Sequence, residues 1–373
     1  MKNTLGSSVS VTLFGESHGE AIGGVLDGLC PGILVDEGFI NSQLAKRRPR
    51  GKTDTPRVET DNFKIVSGVF NGKTTGTPIS IFIPNENTRS KDYNYGVARP
   101  SHADYAAYMK YHGYEDYRGG GHFSGRITAP VVALGAIAIK ALENVGVKIG
   151  THILSCGGVC DSAFSVDSKS VSEEISFLNS LEAGKMVTLN SDSGEKMYNA
   201  ILSAKEKGDS IGGIIQTAIT GMPRGVGEPW FDSLEGVLSN ALFSIGGIKG
   251  VEFGLGFGFS EKTGSEANDQ FTLDEKGDVI TTTNNNGGIN GGITNGMPIV
   301  FNCAVKPTPS ISQKQQTVDF VRGENASLEI KGRHDPAIIR RICVVVDSIC
   351  AIALCDILSL RYGTDVFLKG FGK

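Results

Sequence analysis

Two long apolar segments, Ile127 to Leu142 and Ile338 to Leu360, constrain this chain more than any other feature. The first is too short to span a bilayer and contains Lys140; the second is broken by Arg340, Arg341, Asp347 and Asp356. Both are predicted to be buried core helices. A chain of 373 residues can bury roughly three quarters of its unfolded surface, so it can enclose two such helices.

Each apolar segment follows a similar short motif, Gly125-Arg-Ile-Thr-Ala-Pro130 before the first and Gly332-Arg-His-Asp-Pro336 before the second. Two further pairs recur in the same order. Gly19-Glu-Ala-Ile-Gly-Gly24 matches Gly208-Asp-Ser-Ile-Gly-Gly213, and the segment 75–82 resembles 295–301. Such matches predict two similar β/α halves, about 1–200 and 201–373, sharing one core in a single domain 1–373. Short glycine-rich matches also arise by chance, so the repeat stays open at this level.

Glycine, at 50 residues, is close to twice its usual share of ~7%. Many backbone positions therefore need a positive φ or a close approach to something. Apolar content of 39% and charged content of 20% describe a globular chain, and a net charge of -4 argues against a general nucleic-acid binder. Seven cysteines are scattered without a C-x-x-C pair; Cys343, Cys350 and Cys355 share one apolar segment. They read as small buried hydrophobes in a reducing compartment, not as disulfides or a zinc site. The first residues show no apolar signal region, so the expected location is the cytoplasm, with no membrane partner.

Several local elements are legible. Residues 9–14 alternate like a strand, residues 22–29 form another apolar run, and 41–46 suggest a short helix. Ser101 reads as an N-cap with Asp104 as its capping-box partner, for a helix ending near His112 and stopped by Gly113. Residues 161–207 alternate between polar loop and amphipathic helix, and 284–292 is turn-rich. Gly254-Leu-Gly-Phe-Gly258 reads as a strand with one bare face.

The stretch Lys46 to Arg57 carries six cations against one acid, Asp54. Such a run is ordinarily a solvated face. The alternative is a clamp for an anionic ligand, since arginine forks bind carboxylate and phosphate, and Pro49 and Gly51 argue for a shaped loop rather than a helix face. His18, in Phe14-Gly-Glu-Ser-His-Gly19, has no apolar periodicity around it, and the flanking glycines permit close ligand approach. His102 falls in the predicted first turn of a helix, where it could donate to phosphate or serve a neighbouring carboxylate. His112 suits a helix C-terminus, and His152 belongs to no motif. Arg118-Gly-Gly-Gly-His122, with Arg126, suits a bound phosphate or a flexible turn. Arg333-His334-Asp335-Pro336 offers either an N-cap at Asp335 or a proton-transfer group. No P-loop, dinucleotide fingerprint, nucleophile elbow or metal-spaced histidine pair is present.

Taken in order, F-G-E-S-H-G, S-G-V-F-N-G-K-T-T-G-T-P, R-P-S-H-A-D-Y, D-Y-R-G-G-G, G-D-S-I-G-G, I-K-G-V-E-F-G, K-P-T-P-S and G-R-H-D-P resemble the chorismate synthase family over nearly the whole chain. The resemblance implies an α+β single domain, with an inner helix layer between two antiparallel sheets, in a homotetramer. It implies loss of phosphate and a ring proton from 5-enolpyruvylshikimate 3-phosphate, giving chorismate by 1,4-elimination, with reduced FMN as cofactor and no net redox change. By the same resemblance, His18 would protonate the departing phosphate and His102 would hold a proton near the flavin. Asp335, with the flavin, would help remove the ring proton. Arg47, Arg48, Arg126 and Arg333 would hold substrate anions, assisted by Ser17. The flavin would lie against His122, Phe123, Ser124, Gly246, Gly247, Gly291, Lys306, Pro307, Thr308, Pro309, Ser310 and Arg333.

The chain departs from the family pattern at a few places. The family often has arginine at His122, Asn or Gln followed by Ala at Gly246-Gly247, and serine at Pro309. An arginine that often follows the basic cluster is absent, with Lys52 and Thr53 occupying that stretch. A non-catalytic FMN or phosphate binder of the same fold is the competing expectation. Self-reduction of flavin with NADPH is a third; without a dinucleotide fingerprint, an external flavin reductase is the expected source.

Overall fold

The computed structural model describes residues 2–56, 60–86, 95–330 and 335–371. A first run of strands comprises β1 (Thr4–Leu5), β2 (Ser10–Gly15), β3 (Ala21–Asp27), β4 (Lys64–Ser67), the hairpin β5 (Val69–Phe70) and β6 (Lys73–Thr74), and β7 (Ile79–Pro84). Helix α1 (Glu37–Arg47) lies between β3 and β4, and α2 (Asp104–Tyr111) and α3 (Thr128–Glu143) follow β7. A second run opens with β8 (Lys148–Cys156), β9 (Val159–Cys160), α4 (Ser168–Ser180), α5 (Ser191–Glu206), β10 (Gly213–Thr220), α6 (Leu234–Phe243) and β11 (Ile248–Phe253). It continues through α7 (Gly264–Ala267), β12 (Phe271–Leu273), β13 (Val279–Thr281), β14 (Ile289–Asn290), β15 (Ile293–Thr294) and β16 (Ile299–Val305). The hairpin β17 (Gln315–Asp319) and β18 (Glu324–Leu328), then α8 (Ile339–Tyr362) and α9 (Val366–Lys369), complete it.

The two main sheets have five strands each, in the orders β1-β2-β3-β7-β4 and β11-β16-β10-β8-β9, with every neighbouring pair antiparallel. The path β2-β3-α1-β4-β7-α3 in one half is repeated as β8-β10-α6-β11-β16-α8 in the other. Because β8 already belongs to the second sheet, the second run begins at Lys148, not near residue 200 as the sequence reading placed it. The recurring glycine motifs lead into β3 and β10, and the segments ending at 82 and 301 run into β7 and β16.

The helices form the inner layer. α3 packs on β3 and β7, α8 on β8 and β10, and the two helices pack on each other with α1 and α6 alongside. By length and composition, both apolar helices could cross a membrane. Here 78% and 94% of their apolar windows are enclosed by the fold, so the sheets take the place of lipid. The charges inside α8 are each tied to another element. Arg340 pairs with Asp54, and Arg341 pairs with Asp335 at 2.8 Å. Asp347 accepts from Thr151 Oγ1 at 2.6 Å, and Asp356 accepts from the backbone N–H groups of Ser7, Ser8 and Val9. Burial pushes the Asp347 carboxyl up to about 7. Unpaired, such groups would oppose burial of the helix; paired, they fix its position.

Four local expectations change. α1 begins at Glu37, capped by the Asp36 side chain, because the cap outweighs the early Gly38. Ser101 is not an N-cap: it adopts φ +60°, α2 starts at Asp104, and the Asp104 carboxylate is held by Arg99 instead. Asp335 does not cap α8, which starts four residues later, and it bonds Thr55 N and Arg341. Gly254 and Gly256 take left-handed φ values of +56° and +52°, so this segment turns into a 3-10 helix, Gly256–Glu261, and not a strand. Six cysteines are buried and Cys160 is exposed; all seven are free thiols.

The closest approach in the helix layer is at Gly135 of α3. A Cβ there would fall 2.7 Å from Ser348 Cα and 2.8 Å from Ser348 O, both backbone atoms of α8. Gly→Ala within an exposed helix ordinarily gains ~1 kcal/mol. Here Gly135→Ala should instead lower stability by about 1–3 kcal/mol, because rigid backbone must separate. Chemical denaturation reads the sign: an unchanged or raised midpoint would show that the helix pair yields without cost.

Candidate active site

The turn between β2 and β3 carries Ser17, 1% exposed, and His18, 9% exposed. Asn85, just past β7, donates from Nδ2 to the carbonyls of Glu16 (2.9 Å) and Gly19 (3.0 Å), which clamps the turn. The glycine run 119–121 packs directly against it, with Ser17 N donating to Gly121 O at 3.1 Å. Gly119 sits at φ +62°, and a Cβ there would overlap the His18 ring and approach Ser17 Oγ to 2.8 Å. Only glycine suits that conformation and that closeness. The Ser17 hydroxyl lies 3.3 Å from the carbonyls of Arg118 and Gly119 and 3.1 Å from His18 Nδ1. Ser17 thus holds Nδ1 of His18 in place, and which of the two donates depends on the ring's tautomer. His122 donates from Nδ1 to Gly15 O at 2.8 Å, so it braces the same turn.

The basic run is solvated at Arg50 and Lys52 but not at its start. Arg47 is 2% exposed, and its Nη2 donates to both Asp61 oxygens, Oδ1 at 3.1 Å and Oδ2 at 2.9 Å. Arg48 Nε approaches Asp61 Oδ2 at 3.4 Å, and Arg126, also buried, pairs with Asp61 Oδ1. Arg126 is further held through Nε by Asn85 Oδ1 (3.2 Å) and through its other terminal nitrogen by Pro84 O (3.2 Å). Asn85 therefore joins the His18 turn to the arginine cluster. Asp54 accepts from Arg50 N and pairs with Arg340, while Lys205 of α5 donates to the carbonyls of Lys52 and Asp54. Arg341 donates to Arg47 O at 2.7 Å, and Arg47 approaches Thr128 Oγ1 at 3.5 Å. The amino ends of α3 and α8 thus meet at this loop, and both helix dipoles add positive potential for an anion.

His102 lies in the turn before α2, not in the helix, and contacts Ser310 Oγ at 3.2 Å. Burial, with the nearby charges of Arg99 and Lys306, lowers its pKa to about 4 against the opposing pull of Asp104. Lys306 donates from Nζ to Ser101 O, and its backbone N–H donates to Gly247 O. Arg99 reaches toward the glycine run, with Nη2 3.6 Å from where a Gly120 Cβ would lie, and the carbonyl of Arg99 accepts from His102 N. Asp335 accepts from Thr55 N (3.0 Å) and Arg341 (2.8 Å), one bond on each oxygen, which orients its carboxylate. Pro336 O accepts from Ile211 N, and neighbouring Ser210 donates to Thr308 O, linking Asp335 to the 306–310 segment.

The structure therefore brings together Ser17, His18, Arg47, Arg48, His102, the 122–126 segment, Gly247, the 306–310 segment and Asp335. Arg333 lies outside the described residues. Gly291 sits at the β14–β15 turn, beside the amino end of β16, whereas Lys306 follows the carboxyl end of that strand. Seven strand residues, roughly 20 Å, separate them within one chain. His152 is remote and structural: fully buried, it contacts Asp161, Gln216 and the Phe164 ring. Among the described residues, no three metal-ligating side chains come together.

Several site residues escaped the sequence reading. Asp61, Asn85, Arg99 and Arg341 each carry one or more of the contacts above. Only Asp54, the lone acid inside a basic run, offered a sequence signal. Thr308 Oγ1 is buried without a hydrogen-bond partner, Gly246 faces open space, and Lys306 lies alongside. This donor set fits a ligand that brings hydrogen-bond acceptors, as a flavin does.

The site is thus that of an enzyme acting on a small polyanion. Comparison with known proteins identifies the class further. The family described as chorismate synthase matches residues 9–359. The chorismate synthase of Methanothermobacter thermautotrophicus is 42% identical over 357 residues, covering 95% of this chain and 93% of its own length. That of Lachnoclostridium phytofermentans is 44% identical over 359 residues, covering 95% and 96%. A crystal structure of a chorismate synthase overlays with a TM-score of 0.75 at 28% identity, covering 98% of this chain and 97% of its own. The chain belongs to the chorismate synthase family, and its activity is that of a phosphate-eliminating carbon–oxygen lyase.

The lowered pKa of His102 gives a pH prediction. A depressed folded-state pKa contributes stability that is fully present above the unfolded value of 6.5 and is lost as pH falls toward about 4. In ligand-free protein the His102 ring resonance should hardly move between pH 8 and 6, and unfolding should become easier only below that range. A ring titrating at the ordinary imidazole value would show that His102 is solvated.

Proposed function

We propose that this chain converts 5-enolpyruvylshikimate 3-phosphate to chorismate by 1,4-elimination, with reduced FMN bound beside the substrate and recovered unchanged. The observation that carries the reading is a linked set of groups: three arginines on Asp61, tied through Asn85 to the turn of buried His18, and the oriented carboxylate of Asp335, tied through Arg341 to the Arg47 backbone. The substrate carries a phosphate and two carboxylates, and guanidinium forks bind such groups bidentately.

In this reading Arg47, Arg48 and Arg126 hold the substrate anions, with Arg333 as a further ligand by family resemblance. The bond from ring carbon to phosphate oxygen breaks, the ring C–H bond breaks, and a new C=C bond forms. His18, protonated on Nε2, donates to the departing phosphate while Ser17 keeps Nδ1 in place. Asp335 takes part in accepting the ring proton, its orientation held by Thr55 N and Arg341. His102 is neutral while Arg99 and Lys306 oppose its charge; a bound anion offsets those charges and lets the ring take a proton. His122–Ser124, Gly246, Gly247, Thr308, Ser310 and Lys306 would hold FMN, and Gly291 would reach it from a partner copy. When bound, reduced FMN supplies electron density transiently to the substrate.

A homotetramer in the cytoplasm, fed by an external flavin reductase, completes the proposal. Exposed Trp230, Phe231 and Phe257, at 78%, 96% and 86%, support burial against further copies. The test is anaerobic: mix the purified chain with substrate and chemically reduced FMN, then follow chorismate absorbance and phosphate release. Product formation without stoichiometric flavin oxidation is expected. Flavin binding with no product, from folded protein, would favour the non-catalytic binder. His102→Ala should retain substrate binding but turn over slowly, on the order of 100-fold. Normal turnover would remove it from proton transfer, and NADPH oxidation by the chain with FMN alone would replace the external reductase.

A further inference from the structure

Asp61 is fully buried, with 0% exposure, and has no direct place in the chemistry above. Its backbone adopts a left-handed φ of +49°, a conformation that Asp and Asn tolerate better than most residues. Its two oxygens accept from Arg47 on both sides, from Arg48 on Oδ2 and from Arg126 on Oδ1. That is two bonds per oxygen, close to the full acceptor capacity of a carboxylate. The arginines come from different places: Arg47 and Arg48 end α1, and Arg126 precedes α3. No other described carboxylate touches all three.

We propose that Asp61 is a positioning residue for substrate recognition, which gathers the guanidiniums of Arg47, Arg48 and Arg126 into one anion-binding array. The inference rests on the assignment of those arginines to the substrate. Three guanidiniums within reach of one carboxylate repel one another strongly in a buried site. Without the shared anion, at least one must swing out toward solvent. Arg48, 22% exposed, has the easiest exit; Arg126 is retained by Asn85 and Pro84 O. Gathered in this way, the guanidiniums concentrate positive charge at one place for an incoming phosphate or carboxylate. A carboxylate serves where an amide cannot, because an amide replaces one acceptor oxygen with N–H groups that face donors.

The test compares wild type with Asp61→Asn, which keeps the shape and the tolerance of a left-handed backbone. Steady-state anaerobic turnover gives KM and kcat, reduced-FMN titration gives cofactor affinity, and thermal melting reports the fold. The expected result is a KM for substrate raised about 30-fold, the size of one or two lost charge-assisted hydrogen bonds. kcat and FMN affinity should stay within about 3-fold, and Asp61→Glu should recover part of the KM. An unchanged KM overturns the inference. A lowered KM also overturns it, showing that Asp61 competes with substrate for the arginines. Should Asp61→Asn fail to fold, Asp61→Glu is read instead: a raised KM at unchanged kcat supports the role and an unchanged KM refutes it. Should wild type itself bind substrate without turnover, the catalytic reading fails. Calorimetric substrate affinity of wild type against Asp61→Asn then decides the role of Asp61 alone.

Discussion

The contact on which the molecule depends is the backbone-close packing of α3 against α8 at Gly135 and Ser348. Two helices that are apolar on nearly every face must be covered from all sides, and each has one flank covered by the other. A five-stranded antiparallel sheet covers each remaining flank, and α1 and α6 close the layer. The absence of a side chain at residue 135 lets the helices approach closely enough for both sheets to bear on one core. The site follows from the same contact, because the segments that lead into both helices arrive at the same place.

Charge inside an apolar layer needs a counterpart. Arg340, Arg341, Asp347 and Asp356 sit on a helix that is otherwise aliphatic, and each reaches a different element. Two of these links, Arg340 to Asp54 and Arg341 to Asp335, hold the loop that carries Arg47 and Arg48. The helix therefore does more than fill the core. Its first turn determines where the basic loop can lie, and so connects the packing of the hydrophobic layer to the electrostatics of the site.

Much of this was readable in advance. The two core helices appear within a residue or two of their apolar runs, and the recurring glycine motifs mark equivalent strands. The basic run, with Pro49 and Gly51, pointed to a shaped loop, and Arg47 at its start is buried against Asp61. The failures share a cause. Asp104 and Asp335 look like helix caps by spacing, yet arginines in the fold claim both carboxylates. Gly254 and Gly256 look like a strand by alternation, yet both turn left-handed. Local pattern describes which conformations a residue permits and cannot tell which of several near groups a carboxylate will choose: the two arginines lie only five and six residues away.

What the sequence determined by itself was two enclosed helices and a chain rich in glycine where backbone must bend or approach closely. Those properties depend on near neighbours and on hydrophobic periodicity, which are local quantities. The tertiary structure alone decided that Asp61 gathers three arginines, that Asn85 ties the His18 turn to Arg126, and that the glycine run packs against Ser17 and His18. It also moved Gly291 to the far end of a strand from Lys306. Hydrogen bonds and ion pairs act over a few ångströms, so their partners are chosen by the fold that brings distant segments together, whatever their separation along the chain.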